Sequence, residues 1–401
     1  MPAPPLDGLR VLDCSRLLPG PYCSRYLADL GADVVRVDHP DAARGDMVRA
    51  MASAFVGLNH GKGSVALDLT VAAHRDQFLA LVDRADVVLE SFRPGVLDRL
   101  GLGWSAIHAR NPAAILCSIT GYGQTGPDAG RAGHDIGYLA RAGVLGLSGE
   151  ADRPPLPLGV QVADLAGGAL PGVIGILAAL RERDGSPAQP GSGLGQHVDV
   201  SMTDGSRALL ALDGPGALAG DPAPERGGGP LGGAAIACYR TYRCADGYVA
   251  LGALEAKFWR AWCAGVRRED LVAQQFTAPG SDAGREIEAL FAARTRDAWE
   301  AFAVEHDCCL ESVLSPAESF ARADEDLAAW RARPGADAGR RDGSDRIAPT
   351  LDAVDLDGVP RRVPAPGLRF SRSPLAAGGS TPATGADDAL LADPDTRWPE
   401  R

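Results

Sequence analysis

Between Leu9 and Ile119, short apolar runs rich in β-branched residues alternate with longer amphipathic stretches. Leu9 to Asp13, Asp33 to Val37, Ser64 to Leu69, Asp86 to Glu90 and Ile115 to Ile119 read as strands. Tyr22 to Leu30 and Val71 to Asp83 read as helices, the second turning Phe78, Leu79, Leu81 and Val82 inward. Strands that alternate with helices at this spacing predict an α/β fold whose mainly parallel sheet is covered on both faces. A glycine-spaced apolar helix, Leu165 to Arg181, and a further strand, Gln196 to Val200, extend the pattern.

The rhythm then stops. From Gly214 to Gly233 the chain turns to Gly, Pro and Ala with little periodicity, which predicts a linker over 214–233 after a first unit of 1–213. Tyr239 to Tyr242 and Tyr248 to Leu251, separated by Ala245-Asp246-Gly247, read as a hairpin, and helices follow to Trp330. These predict a small α+β domain over 234–330. A polar, Gly-rich second linker spans 331–346, and a C-terminal segment spans 347–401, with order resuming at Ala365 to Ser373 before a fraying tail.

Composition narrows the function. The chain has 401 residues, 45% hydrophobic and 23% charged, enough to bury a sizeable core. A net charge of −12 argues against a nucleic-acid partner, which calls for a basic surplus. No basic start followed by an apolar core opens the chain. The most apolar stretch, Leu170 to Leu180, is shorter than a bilayer span, so no membrane association and a cytoplasmic location are expected. The eight cysteines are scattered without CxxC or zinc-type spacing, as expected of reduced core thiols, and no metal site is expected.

Familiar ligand motifs are missing. The first strand runs into Cys14-Ser15-Arg16-Leu17-Leu18-Pro19-Gly20-Pro21, which lacks the GxGxxG of a dinucleotide cradle. Gly57 to Gly63 has its Gly-Lys one residue too early for a phosphate loop, and Ser148 fails the GxSxG spacing. Arg226 to Gly233 reads as a flexible loop with the composition of an anion nest.

What remains is a pair of candidate proton carriers. Gly121 to Pro127 leaves a strand through a tight turn, and Gly133-His134-Asp135-Ile136-Gly137-Tyr138 opens a helix, with His134 on its first turn. A helix N-terminus disfavours imidazolium and leaves a neutral base. Asp164 likewise starts the segment Leu165-Ala166-Gly167-Gly168, whose glycines admit a second backbone or a ligand. Taken singly, a histidine such as His134 is usually a structural side chain and an aspartate such as Asp164 usually an N-cap. Together they offer two proton-handling groups at two helix ends, whose free N–H groups could hold an oxyanion between them.

These residues resemble the family III CoA-transferases of CaiB/BaiF type, and within them the racemases of 2-methylacyl-CoA thioesters. The likeness runs over nearly the whole chain. It is carried by Gly31 to Val37, Ser64 to Leu69, Phe92-Arg93-Pro94-Gly95-Val96, Arg99 to Gly103, the Gly121 to Pro127 turn, His134-Asp135, Asp164 and Arg369-Phe370-Ser371-Arg372. The resemblance implies a Rossmann-like large domain formed by the N- and C-terminal parts, a small α+β domain and an interlocked homodimer. It implies an acyl-CoA thioester as substrate, with coenzyme A bound as part of it and no separate cofactor. The CoA-contacting positions would be His39, Leu67, Asp68, Leu69, Thr70, Ser91, Phe92, Arg93, Arg99, Gly133, Ile136, Gly137 and Tyr138. The acid/base pair would be His134 and Asp164, supported by Asp135 and by Glu255 of the small domain.

By that resemblance, one group removes the proton beside the thioester carbonyl and the other returns a proton to the opposite face, interconverting the (2R) and (2S) forms. The competing branch moves CoA between acids through an anhydride and an aspartyl-CoA thioester on Asp164. His134 separates them, because the transferases usually carry tyrosine there. A non-catalytic CoA-binding protein would need both residues to be structural.

Some positions depart from the pattern. His39 and His60 stand where the family usually has arginine, which implies CoA affinity that weakens as pH rises past an imidazole's ordinary value of about 6.5, unless Lys62 and Arg36 compensate. Only four methionines are present, so Leu209, Leu210 and Leu212 would replace a methionine-rich acyl surface after Met202.

Overall fold

The computed structural model describes residues 3–222, 226–229, 231, 235–332, 349–376, 378–392 and 398. The chain divides into two compact units. One comprises Met1–Ala142, Val160–Leu209 and Ala323–Arg401; the other comprises Gly143–Gly159 and Leu210–Arg322.

In the first unit, β1 (Arg10–Asp13) leads through α1 (Pro19–Asp29) to β2 (Asp33–Asp38), then α2 (Ala52–Asn59), β3 (Gly63–Ala66), α3 (Ala72–Val82) and β4 (Val87–Glu90). Helices α4 (Val96–Arg99) and α5 (Trp104–Arg110) precede β5 (Ile115–Thr120) and α6 (Asp135–Ala142). After the excursion into the other unit come α7 (Val162–Asp164), a π-helical stretch Leu165–Ala169, α8 (Leu170–Asp184), β6 (His197–Ser201) and α9 (Met202–Ala208).

Strands β1 to β6 form one sheet in the order β3-β2-β1-β4-β5-β6, every neighbouring pair parallel. The strand order reverses between β1 and β4. At such a point the loops leaving the two C-terminal ends diverge and open a crevice. One face of the sheet packs Leu12, Val35, Val65, Val88 and Leu116 against Phe78 and Leu81 of α3 and Ile107 of α5. The opposite face receives α1 and α8. The expected α/β architecture is therefore present.

The C-terminal residues complete this unit. Thr350–Val354, Pro360–Pro364 and Gly379–Ser380 form a small sheet, so regular structure resumes earlier than Ala365, and Ala365 to Ser373 itself has no helix or strand. Asp387 and Asp388 accept hydrogen bonds from the backbone N–H groups of Ser64 and Ala66 at 2.8 Å each. Trp398 does not fray: it is 3% exposed, and its Nε1 donates to the Asp33 carbonyl at 3.0 Å. An indole buried against the sheet anchors what the sequence presents as a tail.

Helix α8 also differs from expectation. Val162–Asp184 is one continuous helix of 23 residues, long and apolar enough by composition to cross a bilayer. Pro171 falls inside this helix, directly after the π-helical stretch Leu165–Ala169, where the N–H it lacks leaves a gap in the ladder. The helix uses its apolar side, Val173, Ile176 and Leu180, to pack on the sheet, as a core helix does.

The other unit holds a three-stranded antiparallel sheet, Leu310–Ser312, Gly247–Gly252 and Tyr239–Cys244 in that order. Trp259, Trp262, Phe291 and Trp299 fill its core beside the strands. Residues 214–233 are not wholly irregular, because Gly214–Ala219 forms a short helix with Pro215 in its first turn. The 214–233 region and Arg226 to Gly233 fall partly, and 331–346 mostly, outside the described residues. Cys308 is buried as expected of a core thiol, whereas Cys309 is exposed.

Candidate functional site

A cavity of about 460 Å³ opens at the C-terminal ends of the strands flanking the β1/β4 reversal. Arg16, Leu17 and Pro19 reach it from the loop after β1, Ser91 to Pro94 from the turn after β4, and Ile119, Thr120 and Gly121 from the end of β5. His134, Tyr138, Asp164 and Met202 complete the wall with Gly133 and the preceding Ala129, Arg131 and Ala132.

His134 immediately precedes α6, one position before the first helical turn, and is exposed at this cavity. Its carbonyl accepts from the N–H groups of Gly137 and Tyr138 at 2.8 and 3.2 Å, which fixes its backbone at the helix entrance. Tyr138 packs behind it. The Tyr138 hydroxyl donates to the Gly133 carbonyl at 2.7 Å, and its ring meets Tyr122 edge-on at 5.4 Å. A Cβ on Gly121 or Gly133 would come within 2.4 or 2.5 Å of that ring, so these two glycines make the room Tyr138 occupies.

Asp164 ends α7, half-buried, where the helix widens into the π-helical stretch. Such widenings recur at functional sites. Burial, and then the charge of Asp135, push its carboxyl from the usual carboxylate range up to about 7. Asp135 Oδ1 accepts hydrogen bonds from the N–H groups of Ala163 and Asp164 at 2.7 and 3.0 Å. The expectation of two free helix ends for an oxyanion is corrected here: at α7 the donors are already taken by Asp135. Gly167 admits the backbone and Ser206 side chain of α9, and Gly168 the Met202 side chain, in place of a ligand. A Cβ on Gly167 would stand 2.5 Å from Ser206 Oγ, and one on Gly168 would stand 2.7 Å from Met202 Cγ of α9.

The remaining candidates separate into groups. Ser91, Phe92, Arg93, Gly133 and Tyr138 share the cavity with His134 and Asp164. His39 and Leu67 to Thr70 follow β2 and β3 along the same edge of the sheet, outside the lining. Leu67 is buried in the core, so its side chain is not offered to a ligand. Asp68 is held well below the usual range by the Thr70 hydroxyl and N–H, and it pairs with Arg44 at 3.1 Å. Arg99 and Ile136 are exposed and Gly137 is partly so, again outside the lining. Glu255 lies in the other unit, exposed at the N-cap of the helix Ala256–Gly265.

The histidine departures also resolve. His39 is buried, with Nε2 3.4 Å from Asp68 and Nδ1 accepting from the Asp41 N–H at 3.0 Å. Nδ1 is thus used by Asp41, while Nε2 is enclosed facing Asp68 without a hydrogen-bond partner. His60 is buried between Asp29 and the Val56 carbonyl, at 3.1 and 2.9 Å. Arg36 and Lys62 cannot compensate. Arg36 is paired inside with Asp38 and Asp46, and Lys62 is bound to Ser24, the Pro21 carbonyl and Asn59 at 2.7, 2.9 and 3.0 Å. Leu209, Leu210 and Leu212 are not among the cavity's lining residues; Met202 is.

Sequence reasoning missed Arg16, Leu17, Pro19, Ile119, Thr120, Arg131 and Met202. Arg16, Leu17 and Pro19 follow β1 at the reversal, and Ile119 and Thr120 end β5, the next strand beyond β4, placements that need the strand order and not only the strands. Leu17 carries a further sign, a φ of 65° that a branched side chain rarely adopts. Among the described residues no group of three or more His, Cys, Asp or Glu is placed to hold a metal ion.

Residues 6–340 match CoA-transferase family III. The protein belongs to this family. Alpha-methylacyl-CoA racemase of Homo sapiens is 37% identical over 317 residues, covering 77% of this chain and 78% of that one. Succinyl-CoA:mesaconate CoA-transferase of Haloarcula marismortui is 35% identical over 297 residues, covering 70% and 72%. A CAIB/BAIF family protein from Brucella suis has a similar crystal structure, with TM-score 0.75 and 29% identity over 98% of this chain and 100% of that one. Family III thus brings together chains of similar identity that perform two different reactions.

Proposed function

We propose that this family III protein is a racemase that interconverts (2R)- and (2S)-2-methylacyl-CoA thioesters. The observation that carries this reading is that His134 and Asp164, on two separate elements, line one cavity, and that the Asp164 carboxyl sits near 7. A carboxyl poised there can both accept and return a proton at neutral pH. One of the two groups takes the α-proton, the C–H electron pair moves into an enolate, and the other group delivers its proton to the opposite face. The two groups exchange protonation states in each turnover.

Asp135 orients Asp164 through its backbone and raises its affinity for a proton. The enolate oxygen is met by N–H groups at the start of α6, since those of α7 are occupied. A positioned base contributes roughly 10²–10⁴-fold, and one oxyanion donor roughly 10²–10³-fold. The CoA moiety runs from the loops after β2 and β3, at His39 and Leu67 to Thr70, past Ser91 to Arg93 and Arg99, to Gly133, Ile136, Gly137 and Tyr138. No cofactor beyond the CoA of the substrate enters this scheme.

The transferase reading is kept because a relative of almost equal identity transfers CoA. It makes Asp164 a nucleophile, a task that requires the ionised carboxylate, whereas burial here favours the protonated form. We further propose an interlocked homodimer, which the resemblance to the family implies. A cytoplasmic location suits eight unpaired thiols. Chiral analysis of a single-enantiomer 2-methylacyl-CoA after incubation tests the main reading. The racemase yields both enantiomers; CoA transfer to an added free acid with retained configuration overturns it.

A further inference from the structure

Glu90 ends β4 with only 4% of its surface exposed, and it is not one of the residues that line the cavity. Its carboxyl is nevertheless tied to two of the cavity's walls. Oε2 accepts from the Phe92 N–H at 2.6 Å, in the turn after β4, and Oε1 accepts from Gln124 Nε2 at 3.4 Å, in the turn after β5. The Ser118 hydroxyl, directly opposite in the strand register, is a third partner. Asp199, the next residue across the register on β6, accepts from the Gln124 N–H with both oxygens, at 3.0 and 2.9 Å. The Ser91 hydroxyl accepts from the Arg16 N–H at 3.1 Å and joins the loop after β1 to the same belt.

The contacts select a charge state. The Phe92 backbone N–H can only donate and the Gln124 side-chain amide is placed with its Nε2 toward the carboxyl, so both carboxyl oxygens are used as acceptors, which suits the ionised form. The surroundings oppose that form. Burial raises the carboxyl to about 7, and Asp199 and Asp98 of α4 add to the rise. Its charge also adds to the raised pKa of the Cys117 thiol on β5 and of the Cys14 thiol after β1, and Arg16 stands over the Phe92 ring at 5.9 Å. His197 on β6, its pKa lowered by burial, reaches Ser118 Oγ at 3.0 Å and stacks on Trp104 of α5, beside His108.

We propose that Glu90 is a positioning residue whose ionised carboxyl holds the turns after β4 and β5 in place as walls of the cavity, and whose protonation loosens both. A protonated carboxyl keeps one good acceptor and places a hydroxyl against donors. Both the Phe92 and the Gln124 arms then lose the charge that strengthens them, and the wall carrying Ser91 to Arg93 loses its fixed distance from the wall carrying Gly121. The identity of the ligand received there rests on the acyl-CoA reading; the holding of the turns does not.

The test is hydrogen exchange read by mass spectrometry on peptides spanning 91–96 and 121–126, between about pH 6 and about pH 8, corrected for intrinsic rates, with and without CoA. The wild type is expected to lose protection several-fold in both peptides as pH falls, while Glu90→Gln shows protection that no longer depends on pH. Glu90→Asp, too short to reach both turns, is expected to keep a titration but with lower protection throughout. Wild-type protection that is flat with pH, or a Glu90→Gln titration like the wild type, overturns the proposal. Titrating turns that CoA leaves unchanged support the role of Glu90 and refute the acyl-CoA reading.

Discussion

The carboxylate of Asp135 accepts the backbone N–H of Asp164 at 3.0 Å, so the residue beside one candidate proton carrier holds the other. Two neighbours in sequence, His134 and Asp135, thereby serve different ends of one cavity. The imidazole faces it, while the carboxylate reaches across to the start of α7. Asp135 also acts through space, since its negative charge adds to the rise in the Asp164 pKa.

Asp135→Asn keeps an acceptor for the two N–H groups and removes the charge. The Asp164 pKa is expected to fall, moving the pH–rate transition assigned to it to lower pH with little change in melting temperature. Asp135→Ala removes the cap as well and is expected to cost about 1 kcal/mol of stability. Activity profiles against pH and thermal melts of the two variants check this.

Asp164→Asn is expected to abolish turnover and to make the protein more stable at neutral and higher pH. The sign follows from linkage. A carboxyl whose folded pKa is raised from 3.8 to about 7 binds its proton more tightly when folded, so stability falls as pH rises across that window. An uncharged amide escapes the loss. Melting temperatures of both proteins at about pH 4 and about pH 8 should coincide at the first and diverge at the second.

Lys62→Met tests the buried belt beneath α1. Lys62 is fully enclosed, and burial lowers its pKa to about 7, so its contribution to stability improves as pH rises from there toward the ordinary lysine range. Its ammonium stands 3.4 Å from Asp13. Removing it leaves that carboxylate enclosed without its cation, at a cost of about 3 kcal/mol. Urea unfolding measures the loss.

Gly133→Ala places a methyl group 2.5 Å from the Tyr138 ring and is expected to cost about 1–3 kcal/mol and most activity. Adding Tyr138→Leu should return part of the stability without the activity, because the wall behind His134 is then gone. Denaturant midpoints of the single and double variants, compared as a cycle, check this.

The sheet was legible because its strands are short apolar runs buried on both faces, and runs such as Val87 to Glu90 have no other stable use. The order of the strands was not, since a parallel pair is formed by residues far apart in the chain. That is why Arg16, which follows β1 at the reversal, and Ile119, on β5 beyond β4, escaped notice. His134 and Asp164 were legible through the helix signals beside them. Which N–H groups stay free was not, because the donor set at α7 is satisfied by Asp135 of another helix. Likewise Trp398 reads as tail until Asp33 offers its carbonyl.

The most direct measurement is incorporation of deuterium at the α-carbon of a 2-methylacyl-CoA incubated in heavy water, for wild type, His134→Ala and Asp164→Asn. Two proton carriers sharing one cavity predict exchange by the wild type, lowered roughly 10²–10⁴-fold or more by either substitution. Wild-type protein that leaves the α-hydrogen in place, or variants that exchange it as fast as wild type, would contradict the account.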